Sequence, residues 1–366
     1  MTKEAAISSR PGRGTTLIEA CVHDQEPISG LEILPLQLWH CGAQIQAAGL
    51  VSMYTQEAYR RQGMARACME RAIELLQQDG IPLCVLFGIP DLYELFGFVV
   101  VMPWYGVALS SEAWRELPPE PHLQAPTANQ QHALVSLYQE YAKRRIGAMV
   151  RDPECQVQPR KPVPWRIHGV VRVLADSSGN VQGYACHSEP GSATFEVAEA
   201  FAIKDEAYQA ILVYLLHEMR RQGRFELTVA VPPDDPFALF LKQYDARFVV
   251  RTCRSGGGMV RILDLASLCG ALGPVFRKRL IAVDRRAVPR TLGFVAEHHQ
   301  GTITLDGVGP PVEITLPIAP MTQLLFGYHT LSEALRTEGR VSGLGTELWD
   351  LLFPITHPFM YLRDRF

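Results

Sequence analysis

The sequence predicts a mixed α/β (α+β) protein in three consecutive segments, residues 1–118, 119–257 and 258–366, and three observations carry that prediction. The first is a strand-turn-helix passage at residues 53–66, MYTQEAYRRQGMAR, in which Arg60, Gly63 and Ala65 set an Arg-x-x-Gly-x-Ala spacing. The second is an order of strand, helix, strand and short helix that recurs beyond residue 190. The third is a C-terminal stretch in which short strands give way to helices. A chain of 366 residues with 47% hydrophobic content has enough apolar surface for more than one core.

Within the first segment, residues 33–39 and 43–51 predict strands, whereas residues 1–14 are polar. The passage around Gly63 has the chemistry of an anion-binding turn. A diphosphate needs free backbone N–H groups at a helix N-terminus, little side-chain bulk beneath it, and the positive end of a helix dipole. The helix predicted over 64–79 places Met64, Cys68, Ala72 and Leu76 on one stripe and stops at Gly80. There is no Gly-Lys-Ser/Thr and no triple-glycine fingerprint, so neither a Walker loop nor a Rossmann turn is present. An apolar strand at 83–87 follows, and then Leu92-Tyr93-Glu94-Leu95-Phe96-Gly97-Phe98.

Pro118-Pro119-Glu120-Pro121 and Ser255-Gly256-Gly257-Gly258 predict linkers. Between them, residues 170–174 and 181–187 flank Ser-Ser-Gly-Asn and predict a hairpin. A strand at 194–203, a helix at 205–222, a strand at 226–231 and a short helix at 236–244 repeat the order of the first segment. The turn differs: Ile203-Lys204-Asp205-Glu206 has no glycine and sets two carboxylates where a diphosphate would lie, which predicts a second copy without the cofactor. In the third segment, residues 260–264, 280–283, 292–297 and 302–305 predict strands, and 321–328, 331–338 and 345–352 predict helices.

Composition narrows the function classes. A net charge of −3 without a polybasic tract argues against nucleic acid and membrane headgroups as partners. The apolar run over 96–109 is broken by Pro103 and is shorter than the ~18 residues of a membrane helix. Residues 1–14 lack the apolar core of a signal, so the cytoplasm is the expected compartment. The eight cysteines show no C-x-x-C pair and no ligand spacing, and predict small buried hydrophobes with no metal. His298 and His299 are adjacent near a strand end and would point to opposite faces.

The order strand, R-x-x-G-x-A, helix, strand, L-Y-x-x-F-G-F resembles the GNAT family of acetyl-CoA-dependent N-acetyltransferases. The third segment resembles the sterol-carrier-protein-2 type of domain. Two GNAT-like segments, the second degenerate, with such a domain behind them are similar to the Eis (enhanced intracellular survival) acetyltransferases. Further matches are Leu324-Leu325-Phe326-Gly327, residues 335–341, Pro233-Asp234-Asp235-Pro236 and the ending at Phe366.

The resemblance implies that Met53, Tyr54 and Thr55 meet the pantetheine arm of acetyl-CoA, and that Arg60, Arg61, Gly63, Met64 and Ala65 hold its diphosphate. Tyr93 is implied as the general acid for the departing thiolate, a transfer that a phenol of pKa ~10 makes at modest cost to a thiolate whose acid has pKa ~8.5. The alternative for Tyr93 is a core tyrosine packed with Phe96 and Phe98. The carboxylate of Phe366 is implied to assist deprotonation of the acceptor amine. Direct transfer from an ammonium of pKa ~10.4 to a carboxylate of pKa ~3.5 is uphill by about 7 units, roughly 9 kcal/mol, so a water relay, burial or binding of the neutral amine must close the gap. The alternative for Phe366 is a packed or frayed chain end.

The implied reaction is direct attack of a primary amine, of an aminoglycoside, a polyamine or a lysine, on the thioester. The resemblance also suggests a homo-oligomer, a hexamer among the counts it allows. Family members usually place two helices before the central strands, and about fifty residues leave no room for them here. That shortage motivates an alternative reading, a non-catalytic acyl-CoA or lipid binder.

Overall fold

The computed structural model describes residues 6–12, 14–22, 26–89, 91–110, 114, 116–151, 169–253, 256–336, 338–342 and 348–366. In chain order the first elements are β1 (Ala6–Pro11), β2 (Thr16–Cys21), β3 (Ser29–His40), β4 (Ala43–Thr55), α1 (Met64–Gln78), β5 (Leu83–Gly88), β6 (Val99–Met102) and β7 (Trp104–Ser110). There follow α2 (Gln131–Ala142), β8 (Ile146–Met149), β9 (Gly169–Ala175), β10 (Val181–Ser188), β11 (Glu196–Ala202), α3 (Asp205–Arg221), β12 (Glu226–Val229), α4 (Pro236–Leu241) and β13 (Arg247–Arg251). The last elements are β14 (Gly257–Ile262), α5 (Leu265–Arg279), β15 (Thr291–Ala296), β16 (His299–Thr304), β17 (Val312–Thr315), α6 (Ile318–Leu325), α7 (Leu331–Ala334), β18 (Arg340–Ser342) and α8 (Trp349–Leu352).

The chain forms two compact units, one of Met1–Met102, Arg254–Pro358 and Phe366, the other of Pro103–Cys253 and Phe359–Arg365. In the first, one sheet runs β1-β2-β3-β4-β5-β14-β6. Its neighbours are antiparallel apart from β4 and β5. Helix α1 buries Cys68, Met69, Ala72, Ile73 and Leu76 against this sheet, with Ile18, Leu31, Ala48 and Leu86 in the same core. A second sheet, β16-β15-β17-β18, belongs to the same unit. Phe276 of α5 meets Phe294 of β15 at 6.2 Å and Phe353 at 5.5 Å.

The other unit has a sheet in the order β13-β7-β12-β11-β10-β9, in which only β11 and β12 are parallel. Helix α3 buries a broad face that includes Ile211, Leu212, Leu215, Leu216 and Met219. At its core lies an ionic cluster. Arg151 donates from Nε to Asp364 at 2.9 Å and from Nη1 to Glu199 at 3.0 Å, and Arg363 and Tyr184 donate to the same Glu199 oxygen at 3.0 and 3.1 Å.

Several expectations change. The Ser255–Gly258 stretch is not a free linker: Ser255 lies outside the described residues, while Gly257 and Gly258 open β14, which fills the position between β5 and β6. Glycine is required there because a Cβ on Gly258 would stand 2.6 Å from Cβ of Met102. Residues 280–283 form no strand. They follow α5, a helix hidden from the sequence reading by Gly270, Gly273 and Pro274, yet capped by Asp264, whose carboxylate accepts from Ser267 N at 3.1 Å.

Polar β1 is a strand because it sits at the sheet edge, where only β2 must be satisfied. Helices predicted over 331–338 and 345–352 shorten to α7 and α8, with 343–347 outside the described residues. Strands β17 and β18 were not expected. Four of the eight cysteines, Cys68, Cys84, Cys186 and Cys269, are buried; Cys21, Cys41 and Cys253 are half-buried, and Cys155 lies outside the described residues. Among the described residues no group of three or more His, Cys, Asp or Glu side chains is placed to hold a metal, and no helix is long and apolar enough to cross a membrane.

Candidate active site

Strand β4 changes character halfway along. Its pairing with β3 slips between Glu32↔Val51 and Gly30↔Tyr54, so that two residues of β4 oppose one of β3, and Ser52 takes φ 55°. Such a bulge bends and re-aims a strand. On the other edge, the parallel ladder to β5 holds only Ala47↔Leu83, Ala48↔Cys84 and Gly49↔Val85. Beyond Gly49 the two strands part, although β4 continues to Thr55 and β5 to Gly88. This fork leaves β4 backbone groups without a partner on β5, and a flat polar ligand can take up that pairing.

Three predicted residues lie on the forked arm. Met53 and Thr55 are half-buried, and Tyr54 is exposed. Ser29 Oγ donates to the Tyr54 carbonyl at 2.8 Å and lies 2.8 Å from Thr55 Oγ1, which fixes the arm against β3. After a single 3-10 turn at Glu57–Tyr59, Arg60 Nε donates to the Thr55 carbonyl at 3.4 Å. Arg61 and Gly63 adopt φ of 62° and 83°. Gly63 is the N-cap of α1, no side chain caps the helix, and Met64 and Ala65 begin its first turn. Arg60, Arg61 and Gly63 are exposed. Orphan N–H groups and the positive end of a helix dipole thus meet at one open turn that carries two exposed arginines, which suits an anion.

Tyr93 opens a 3-10 helix just past β5. Its hydroxyl donates to Met53 Sδ at 3.7 Å, and its ring meets Phe98 edge-on at 6.3 Å. The packing against Phe98 that the core reading expected is present, and the hydroxyl is also turned to the forked arm. Burial pushes the phenol above its ordinary value. Gly88 makes room for it, since a Cβ there would stand 2.5 Å from Tyr93 Cδ2.

Phe366, the last residue, is buried in the same fork. Its ring lies where a Cβ of Gly49 would be, 2.5 Å from that position, and meets Phe87 of β5 edge-on at 5.8 Å. The chain end therefore packs at the place where β4 and β5 separate. Gly49, Phe87 and Gly88 escaped the sequence reading, because nothing local marks a glycine whose partner is the far end of the chain. Among the described residues no α-helix precedes α1, and β3 turns into β4 through Cys41-Gly42.

Two stretches match models of an acetyltransferase (GNAT) domain, residues 8–101 and residues 147–262. The protein is an acetyltransferase with tandem GNAT-type mixed sheets, a class whose co-substrate is acetyl-CoA. Among solved structures it is similar to a GCN5-related N-acetyltransferase from Anabaena variabilis, with 17% identity, TM-score 0.68 and coverage of 96% of this chain and 90% of the other. One from Kribbella flavida gives 18% identity, TM-score 0.65 and coverage of 96% and 88%. Eis1 from Mycobacterium abscessus gives 17% identity, TM-score 0.62 and coverage of 96% and 91%. At these identities the likeness is one of fold. A search of curated proteins gives no sequence match.

Proposed function

We propose that this protein is an Eis-like N-acetyltransferase that moves the acetyl group of acetyl-CoA to a primary amine by direct attack, with no covalent enzyme intermediate. The observation that carries the reading is the convergence of Tyr93, Met53 and Phe366 on the fork between β4 and β5. In this reading Met53, Tyr54 and Thr55 offer backbone groups to the pantetheine arm and the thioester carbonyl. Arg60, Arg61, Gly63, Met64 and Ala65 receive the diphosphate.

The Tyr93 hydroxyl already donates to a thioether sulfur. A thiolate in the fork is a far better acceptor, and a phenol raised by burial stays protonated until that charge develops. The Phe366 carboxylate, held by its own ring against Gly49, assists proton removal from the amine through water. The acceptor is a small molecule or peptide bearing an aliphatic amine, of the aminoglycoside, polyamine or lysine type.

By function the chain divides at residues 118 and 257: an acetyl-CoA-binding segment, a degenerate copy, and a sterol-carrier-protein-2-like segment at 258–366. The degenerate copy has Asp205 and Glu206 in the first turn of α3, where α1 has none. We place the protein in the cytoplasm as a homo-oligomer.

The test is thiol release from acetyl-CoA across aminoglycosides, polyamines and a lysine peptide. Release with one class identifies the acceptor. Acetyl-CoA binding without release to any of them would instead favour an acyl-CoA or lipid binder.

A further inference from the structure

We infer that the ring of Phe366 selects the acyl group, closing the fork between β4 and β5 beyond the thioester so that acetyl enters and longer chains do not. The inference rests on the acetyl-CoA site proposed above and names what limits the acyl chain within it.

The two sides of the fork differ. Ala48, Leu50, Cys84 and Leu86 belong to the core under α1, so strand alternation sets Gly49, Val85 and Phe87 on the opposite face of the sheet. Met53 and Tyr93 pack against the α1 core, and the Tyr93 hydroxyl reaches Met53 Sδ at 3.7 Å. The sulfur end of the proposed site is therefore on the α1 side. A Cβ on Gly88 would stand 2.5 Å from Tyr93 Cδ2 and 2.9 Å from Leu86 Cδ1, which agrees with that placement.

The opposite side is closed by rings. Phe366 is 6% exposed, and its Cζ, Cε2 and Cε1 lie 2.5, 2.8 and 3.1 Å from the place a Gly49 Cβ would take. Phe87 meets that ring edge-on at 5.8 Å. Gly49↔Val85 is the last rung between the two strands, so the ring stands over the point where the fork begins.

A pantetheine arm that leaves a diphosphate at Arg60 to Ala65 and follows Thr55 to Met53 runs backward along β4, with its acyl end directed at Gly49. There the two strands close together and the Phe366 ring covers the space beside them. Close-packed interiors yield little to added carbon, so each methylene beyond acetyl has to displace a ring that is already seated. Phe366 thus has two separable parts, a carboxylate assigned to the amine and a ring that sets acyl length.

The test titrates the full-length protein calorimetrically with S-ethyl-CoA and S-hexyl-CoA, thioethers that bind without transfer, and measures kcat/KM with acetyl-CoA and hexanoyl-CoA. Wild type should bind S-ethyl-CoA at least about tenfold more tightly, the lower end of what one misfitting methylene costs in an apolar site. Phe366→Ala keeps the main-chain carboxylate, removes the ring, and should bring S-hexyl-CoA to the affinity of S-ethyl-CoA. The ratio of hexanoyl to acetyl kcat/KM should rise about tenfold with it. Phe87→Ala, which removes the support of the ring, should move both ratios the same way by less, with the thermal unfolding midpoint showing that each variant is folded. Wild type that binds both thioethers equally, or a binding ratio that Phe366→Ala leaves unchanged, would overturn the inference whatever the transfer activity. Failure of both thioethers to bind would overturn it together with the acetyl-CoA site. A shifted binding ratio without turnover of any acyl-CoA would support the role of the ring and remove the transferase reading instead.

Discussion

Gly49 shows how much a single hydrogen in place of a methyl can decide. The Phe366 ring occupies the space of its missing Cβ, so Gly49→Ala forces the chain end out of the fork. Overpacking of this kind costs about 1–3 kcal/mol. We expect a matching fall in the unfolding midpoint and at least a tenfold fall in kcat with the KM for acetyl-CoA little changed, read by calorimetry and steady-state kinetics. Tyr93→Phe keeps the contact with Phe98 but removes the proton, and should lower kcat by about 10²-fold, the usual worth of a general acid, without loss of acetyl-CoA binding. Because burial raises the Tyr93 phenol, the wild-type rate should stay level through neutral pH and fall only above the ordinary tyrosine value of ~10. That alkaline limb should vanish in the Phe variant, and a limb that persists would assign the acid to another group.

At the scale of elements, the passage from β4 to α1 was legible because its signals are local. Gly63 has φ 83° and caps a helix with no side-chain cap, a conformation that a Cβ resists. Gly63→Ala should destabilise by about 1 kcal/mol or more and raise the KM for acetyl-CoA, which an isothermal titration with coenzyme A would report as weaker binding. Helix α3 was equally legible, since Asp205 and Glu206 stand in its first turn and Arg220 and Arg221 in its last, complementing the dipole at both ends. Helix α5 was not, because two glycines and Pro274 interrupt a local pattern that tertiary burial of Leu268, Leu272 and Phe276 restores. Polar β1 was missed for the converse reason: an edge strand needs a partner more than it needs apolar residues.

At the scale of the molecule, the two larger sheets depend on chain from outside their own segments. The first unit's sheet needs β14 between β5 and β6, and the second unit's sheet needs β7 between β13 and β12. A fragment of residues 1–118 therefore lacks β14 and leaves β5 and β6 with open edges, and we expect it to be insoluble or unfolded by circular dichroism. A folded, monomeric fragment would show that β14 is dispensable.

Within the ionic cluster, Glu199 contributes acid-labile stability, while burial raises its neighbour Asp364 in the opposite direction. Burial works against the charge of Glu199, but Arg151 and Arg363 outweigh it and hold the carboxyl at about 2. A depressed folded value stabilises above the unfolded ~4.3, and this contribution drains away as pH falls from there toward about 2. The unfolding midpoint should drop through that window, and Glu199→Gln should flatten the drop while costing about 3 kcal/mol at neutral pH, because Arg151 then keeps only Asp364 and Arg363 loses its carboxylate.

What the sequence by itself determined is therefore local: the mixed α/β class, the Arg-x-x-Gly-x-Ala turn with its open helix N-terminus, the hairpin of β9 and β10, and the degenerate turn before α3. Each follows from residues a few positions apart, where backbone preference and charge act without help from the rest of the chain. Only tertiary structure decided that β14 lies inside the first sheet, that β4 and β5 part at Gly49, and that the Phe366 ring fills the space this creates. Those depend on contacts between residues far apart in sequence, and a side chain carries no local mark of the distant atom it will meet.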